Sequence, residues 1–209
     1  MNSIVGREIE ASTECETGQP EFRGRSGFIL WLTHSGTALG GVADYKEGGT
    51  MSRAITILVA TMSGTAELVA EEAESCLRDG GWHAKIMRMD EIAADDVQAG
   101  IFLICTSTYG TGEVPDNGKA LYAALETHRP QLSNVLYGVI GLGDSIYPNT
   151  FCFGGKRFDE LFAELGASRV GERLNHDRRS STYPEDAARE WIAGWMAQLA
   201  QRCTECPAS

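Results

Sequence analysis

The chain has 209 residues and a formal net charge of −11 at pH 7. Its 43% hydrophobic and 22% charged residues are typical of one globular domain of ordinary size. The acidic balance argues against nucleic acid or an anionic membrane surface as a partner, and it favours a basic protein partner.

Residues 1–50 show no sustained helical or strand period. Their apolar patch, residues 28–32, is far shorter than the roughly 20 residues of a membrane-spanning helix, so no membrane anchorage is expected. Met51 stands just before the first predicted strand. We therefore expect residues 1–50 to be a disordered tail or a mis-assigned start, 51–202 to form the main domain and 203–209 to form a tail.

The six cysteines lack the regular spacing of a secreted disulfide framework, and Cys105 and Cys152 fall in a predicted strand and a predicted ligand loop. This distribution favours a reducing cytoplasm. Cys203 and Cys206 have the two-residue gap of a redox or zinc pair, but no second pair of ligands accompanies them. We therefore predict no metal site.

From residue 54 onward, predicted strands and helices alternate, which indicates βαβ units and a parallel sheet. The run Ala54–Ala60 is apolar and β-branched, as in a strand buried on both faces. The predicted strands span residues 54–60, 83–89, 101–105, 135–140 and 167–174. The predicted helices include residues 64–80, 118–127, 155–165 and 184–200. The fold class is thus α/β, with five strands.

The loop after the first strand is rich in hydroxyl groups, which Thr61, Ser63 and Thr65 supply around a flexible Gly64. Hydroxyls and the free amides of a following helix are the donors that a phosphate group needs. The loop contains no lysine, so it is not the nucleoside triphosphate loop. An ordinary hydroxyl-rich helix cap is the alternative.

The loop after the third strand, residues 108–117, reads TYGTGEVPDN. A glycine-rich loop at the carboxyl end of a buried strand is where open α/β sheets bind ligands. Gly110 and Gly112 allow the backbone to lie against a flat ligand, and Tyr109 would cover it. The alternative is a glycine-rich turn that merely begins a helix.

The loop after the fourth strand, residues 141–152, again combines two glycines, an acid and a tyrosine. A single tyrosine after a strand usually belongs to the core or its rim. Two tyrosines on adjacent loops, Tyr109 and Tyr147, indicate a shared ligand instead.

These three loops, in this order and separation, resemble the flavodoxin family and the FMN-binding domains of diflavin reductases. The resemblance covers about residues 54–200. It is nearest to short MioC-type flavodoxins at residues 150–152 and 184–195, and to the flavin domain of sulfite reductase at residues 155–159. It implies a flavodoxin-like doubly wound sheet of five parallel strands in the order 2-1-3-4-5. Residues 148–150 separate Tyr147 from Phe151 and Cys152, and this spacing is one residue longer than is usual in the family.

The resemblance also implies FMN as cofactor. The phosphate would bind Thr61, Ser63, Gly64, Thr65 and the amides around Met62 and Ala66, and the ring would lie between Tyr109 and Tyr147. Further contacts are implied at Ser107, Thr108, Gly110, Thr111, Gly112, Gly143, Asp144, Phe151 and Cys152. Acidic residues near the ring, such as Glu113, Asp116 and Asp144, would disfavour negative charge on it.

The function expected from the resemblance is that of an electron carrier without catalytic residues of its own. It would shuttle single electrons from an NAD(P)H-dependent flavoprotein reductase to an acceptor redox enzyme. The alternative is a flavin-dependent NAD(P)H oxidoreductase of the same fold that acts on a small molecule. A third reading is a module that kept the fold and lost the flavin.

Overall fold

The computed structural model describes residues 53–205, so the expectations for residues 1–50 lie outside the described residues. The strands are β1 Ala54–Ala60, β2 His83–Arg88, β3 Ala99–Ser107, β4 Asn134–Gly143, β5 Ser168–Arg169 and β6 Leu174–Asp177. The α-helices are α1 Thr65–Asp79, α2 Asp116–His128, α3 Phe153–Glu164 and α4 Pro184–Glu205. A short 3₁₀ turn, Ala94–Val97, precedes β3.

The strands form one parallel sheet in the order β2-β1-β3-β4-β5, which confirms the predicted 2-1-3-4-5 order. The fifth strand differs from the prediction because it is interrupted. Both β5 and β6 pair with β4, and the residues between them leave the ladder where Gly171 has a φ of 70°. The single strand predicted over residues 167–174 is therefore two short strands at one edge.

Two apolar layers enclose the central strands, because alternate residues of a strand point to opposite faces. On β1, Ile57 and Val59 pack in the cluster that contains α1 and α4. Leu58 and Ala60 pack in the cluster that contains α2 and α3. The doubly wound arrangement thus follows from a β1 sequence that is apolar on both faces.

The strand register brings four strand ends to one edge of the sheet. Ala60 at the end of β1 is level with Thr106 on β3, and Ser107 is level with Leu142 on β4. Gly143, at the end of β4, is level with the end of β6. The loops that follow β1, β3, β4 and β6 therefore lie side by side.

None of the helices described between residues 53 and 205 is both long and apolar enough to cross a membrane.

Candidate functional site

The β1–α1 loop, residues 61–64, turns the chain from the first strand into α1. Gly64 has a φ of 82°, a left-handed conformation that favours glycine. Its amide donates to Oγ1 of Thr61 at 3.1 Å, and the Thr61 amide donates to Oδ1 of Asn117 at 2.9 Å. Asn117 lies in the first turn of α2, so its side chain fixes this loop against the neighbouring helix.

The start of α1 offers a group of unused donors. Within residues 53–205, the amides of Met62, Ser63, Thr65 and Ala66 have no protein acceptor. The hydroxyl oxygens of Ser63 and Thr65 lie 3.2 Å apart beside them. Free amides at a helix amino terminus carry partial positive charge, and they bind phosphate without the help of a cation.

The β3–α2 loop, residues 108–115, is built around a tight turn. Tyr109 and Glu113 form an antiparallel bridge, and the Tyr109 carbonyl accepts from the Gly112 amide at 3.1 Å and the Glu113 amide at 2.7 Å. Gly110 and Gly112 have φ values of 53° and 96°, which explains why the turn needs glycine at both positions. Tyr109 is 46% exposed.

Helix α3 also contacts this turn, through the side chain of Arg157. Nε of Arg157 donates to the Gly112 carbonyl at 2.8 Å. Two of the four carbonyls from Tyr109 to Gly112 are therefore occupied. Those of Gly110 and Thr111 accept no hydrogen bond from the described residues.

The β4–α3 loop, residues 144–152, presents the second tyrosine. Oδ1 of Asp144 accepts from the Ile146 amide at 3.0 Å, and the Thr150 amide donates to the Tyr147 carbonyl at 3.0 Å. These bonds hold Tyr147 on a compact loop with 63% of its surface exposed. Because Tyr147 is exposed, the loop can present its ring to a ligand.

Cys152 ends this loop in a buried and unusual position. Its φ is 54°, and its thiol donates to the carbonyls of Gly141 at 3.3 Å and His176 at 3.6 Å. Burial raises the pKa of this thiol to about 12. A Cβ on Gly143 would lie 2.6 Å from the Cys152 amide nitrogen, so only glycine fits there.

Cys76 and Cys105 are free thiols as well. Cys105 is buried, and its thiol donates to the Ala66 carbonyl at 3.3 Å. Burial raises the pKa of Cys105 well above its usual range. Among the described residues, no group of three or more His, Cys, Asp or Glu is placed to hold a metal ion, and Cys206 lies outside them.

An open cavity of about 1080 Å³, which we name the edge cleft, joins the loops at the carboxyl edge of the sheet. This volume is slightly above the roughly 300–1,000 Å³ of small-molecule sites. The edge cleft brings together nine of the predicted site residues, namely Ser63, Thr65, Ser107, Thr108, Tyr109, Gly110, Gly143, Asp144 and Tyr147.

The remaining predicted site residues do not line the edge cleft. They are Thr61, Met62, Gly64, Ala66, Thr111, Gly112, Phe151 and Cys152. The side chain of Ala66 packs in the core, and the thiol of Cys152 is bonded to backbone carbonyls. These two residues therefore have at most their backbone amides to offer to a ligand.

A fourth loop forms a wall of the edge cleft that was not predicted from the sequence. The β6–α4 loop, residues 178–183, contributes Arg178 and the hydroxyl groups of Ser180, Ser181 and Thr182. The Arg178 amide donates to the Gly143 carbonyl at 2.8 Å. Ligands of open α/β sheets bind at the loops that follow the carboxyl ends of strands. A fifth strand predicted to end at Asp177 would therefore have identified this loop as well.

Hydrogen bonds tie this fourth wall to its neighbour. Oδ1 of Asp177 accepts from the amides of Ser145 and Arg179, both at 3.0 Å. These bonds hold the pKa of the Asp177 carboxyl below its ordinary value, and the bond with Ser145 has the largest effect. His176 lines the same region, and burial lowers its pKa, which favours the neutral imidazole.

A second cavity of about 900 Å³ lies at the interrupted strand edge, between α3 and α4. Its central carboxylate, Asp159, accepts from the hydroxyl of Tyr137 and from the guanidinium groups of Arg169 and Arg173. These polar groups already satisfy one another. One buried donor beside this cavity, Nε1 of Trp195, has no partner within the described chain. The group of unused amides lies elsewhere, at the start of α1, where Ser63 and Thr65 line the edge cleft.

Comparison with known proteins agrees with this geometry. The Flavodoxin family model matches residues 57–191. Flavodoxin YqcA of Pectobacterium carotovorum subsp. carotovorum is 42% identical over 68% of the chain and 93% of that protein. Protein MioC of Escherichia coli K12 is 37% identical over 69% of the chain and 97% of that protein.

Two further matches extend the comparison. The sulfite reductase [NADPH] flavoprotein alpha-component of Bacillus subtilis is 33% identical over 79% of the chain, but over only 27% of that larger protein. The solved structure of a point mutant of flavodoxin from Pseudomonas aeruginosa is 38% identical, with a TM-score of 0.64 over 70% of the chain and 99% of that structure. These matches confirm the resemblance seen in the three loops: the chain belongs to the flavodoxin family, whose members bind FMN and carry electrons between redox partners.

Proposed function

We propose that the protein holds one FMN in the edge cleft and carries single electrons from an NAD(P)H-dependent flavoprotein reductase to an acceptor redox enzyme. One observation carries the proposal. A single open cavity joins the donor-rich start of α1 to three exposed tyrosines, of which Tyr109 and Tyr147 lie on the loops after β3 and β4 and Tyr183 on the loop after β6. A ligand with a phosphate at one end and a flat ring at the other suits such a cavity.

The phosphate end fits the donors that are present. The amides of Met62, Ser63, Thr65 and Ala66, with the hydroxyls of Ser63 and Thr65, would hold the phosphate oxygens. Thr61 and Gly64 act indirectly in this proposal, because their mutual hydrogen bond shapes the loop. Asn117 joins them as a positioning residue through the Thr61 amide.

The ring end fits the two tyrosines and the backbone around them. In this proposal, Tyr109 and Tyr147 cover the two faces of the ring, and Ser107, Thr108 and Gly110 bring backbone to its edge. Residues 143–152 would approach the other edge through the backbone. Both aromatic rings expose enough surface to stack, since 46% of Tyr109 and 63% of Tyr147 are accessible.

Bound FMN supplies a ring that accepts and releases electrons one at a time. The free carbonyls of Gly110 and Thr111 are the acceptors that the turn offers for a proton held on the ring edge. Of the three nearby acids, Glu113 and Asp116 are paired with Lys119. Asp144 lines the edge cleft and has no ion pair within the described chain, so its charge would disfavour further negative charge there.

The choice of partners rests on two observations. The relative named sulfite reductase [NADPH] flavoprotein alpha-component matches this chain over 27% of its own length, which supports a separate NADPH-dependent flavoprotein as the electron donor. The acidic net charge of −11 supports basic docking sites on the partners.

The free thiols of Cys105 and Cys152 support a reducing, cytoplasmic location.

The test begins with the visible spectrum of the purified full-length protein, before and after added FMN. We expect a yellow protein, or a colourless one that binds FMN and gains a flavin spectrum. Anaerobic mixing with NADPH should leave the flavin oxidised until an NADPH-dependent flavoprotein reductase is added. A protein that ignores FMN would overturn the proposal, and steady NADPH oxidation by the protein alone would favour the alternative oxidoreductase.

A further inference from the structure

Four hydrogen bonds hold the turn from Tyr109 to Glu113, three between backbone groups and one from Arg157, and they restrain its peptide units to different degrees. The peptide between Gly112 and Glu113 is bonded at both ends, because its carbonyl accepts from Arg157 and its amide donates to Tyr109. The peptide between Gly110 and Thr111 is bonded at neither end within the described chain. The first peptide is therefore fixed, and the second is the least restrained.

Arg157 supplies the bond that reaches furthest along the chain. It lies in α3, and its Nε is 2.8 Å from the Gly112 carbonyl, which is 45 residues away in sequence. In the part of the chain that the structure describes, Arg157 pairs with no carboxylate, whereas Lys156 beside it pairs with Glu160. A charged donor bonded to a neutral carbonyl makes a stronger hydrogen bond than a neutral donor would.

Packing around Gly112 reinforces the bond from Arg157. A Cβ at Gly112 would lie 3.1 Å from Phe153 and from Thr150, so the glycine sits against both side chains. Neither Gly112 nor Arg157 lines the edge cleft, so the bond between them holds the Gly112 carbonyl toward α3. The carbonyls of Gly110 and Thr111 accept no bond from the described chain.

We propose that Arg157 is a positioning residue for the cofactor: it fixes the Gly112 carbonyl away from the edge cleft and thereby determines which carbonyls of the turn face the bound ring. This inference rests on the proposed function. It adds that a residue outside the edge cleft, on a helix of the opposite layer from α1, controls the ring's hydrogen-bond acceptors.

The test compares Arg157→Gln and Arg157→Lys with the matched control Lys156→Gln, which removes the same charge from the same helix turn. The first measurement is amide hydrogen exchange in the FMN-free protein. We expect exchange at Gly112 and Glu113 to rise about tenfold in Arg157→Gln, as for loss of one charge-assisted hydrogen bond, and to stay unchanged in Lys156→Gln. Arg157→Lys should restore much of the protection, since its ammonium group can donate to the same carbonyl.

The second measurement uses the FMN-loaded protein. We expect Arg157→Gln to weaken FMN binding by about tenfold and to shift the separation between the two one-electron midpoint potentials, while Lys156→Gln changes neither. Unchanged exchange at Gly112 and Glu113 would overturn the anchoring role. Raised exchange with unchanged FMN affinity and potentials would overturn the positioning role. If wild-type protein bound no FMN, the proposed function would fail, and the exchange data would still decide on the anchor.

Discussion

Replacement of Gly154 by alanine should separate the effect of helix propensity from that of close backbone packing at the edge cleft. Gly154 is the second residue of α3, and its amide donates to Oγ1 of Thr108 at 3.1 Å. A Cβ at this position would lie 2.2 Å from the Ser107 carbonyl oxygen, whereas ordinary contact begins at 3.4 Å. The obstructing atoms are backbone, so no side-chain rotation can relieve the clash.

The magnitude follows from two opposing terms. Alanine is favoured over glycine by about 0.8–1.0 kcal/mol in a helix interior, which is the upper limit for Gly154 in the first turn of α3. Overpacking that displaces backbone costs typically about 1–3 kcal/mol, and the clash here lies at the severe end of that range. We therefore expect Gly154→Ala to lower the free energy of unfolding by about 2 kcal/mol, and to weaken FMN binding by about tenfold because the Ser107–Thr108 backbone must move.

Gly194→Ala is the matched control, since Gly194 lies in α4 and a Cβ there would meet nothing within 4 Å. It should raise the free energy of unfolding by about 0.8 kcal/mol and leave FMN affinity unchanged. Urea denaturation and FMN titration of both variants provide the assay. If Gly154→Ala were as stable as wild type and bound FMN equally well, the close packing of α3 on the β3–α2 loop would be refuted.

Three other predictions concern the ring, a helix end and a buried imidazole. Tyr147→Ala should weaken FMN binding by about 1–3 kcal/mol while Tyr147→Phe stays close to wild type, and equal affinities by titration would remove Tyr147 from the site. Arg129 follows the last residue of α2 and has a φ of 44°, in the left-handed region that favours glycine. Arg129→Gly should therefore raise the free energy of unfolding by about 0.5–1 kcal/mol. A lower free energy of unfolding in urea denaturation would contradict backbone strain at Arg129. Burial lowers the pKa of His176 despite the carboxylates of Asp177 and Glu185, so the unfolded chain takes up the proton first as pH falls. Wild-type stability should therefore decline from about pH 6.5 downward more steeply than that of His176→Gln, and parallel curves between about pH 7.5 and 5 would rule this out.

The sequence was sufficient to predict the central sheet and three of the four loops, because buried parallel strands leave continuous apolar runs. Ala54–Ala60 is the clearest case, with alternate residues in both core layers. The break in the fifth strand was not predictable from the pattern, because Val170 is buried and Gly171 alone marks the departure. That error also hid the fourth wall of the edge cleft.

Other features depend on contacts between residues that are distant in sequence. The bond from Arg157 to Gly112 and the bond from Asn117 to Thr61 each join separate loops and helices. Cys152 was predicted as a cofactor contact from its place in a motif. The structure turns its thiol to the Gly141 and His176 carbonyls, a direction that no local pattern encodes.

The interruption between β5 and β6 separates two tasks of the sheet edge. β5 closes the edge beside the first half of β4, whereas β6 pairs independently with the end of β4 and positions the β6–α4 loop beside Gly143. Between them, Gly171 already leaves the ladder and Glu172 projects into solvent, with 95% of its side chain exposed. The Glu172 carbonyl accepts from Nε1 of Trp191 at 2.9 Å, which anchors the chain on the far side of this point. We therefore expect residues inserted after Gly171 to lengthen an outer bulge while β6, which pairs through its own residues, keeps its register and the walls of the edge cleft keep their places.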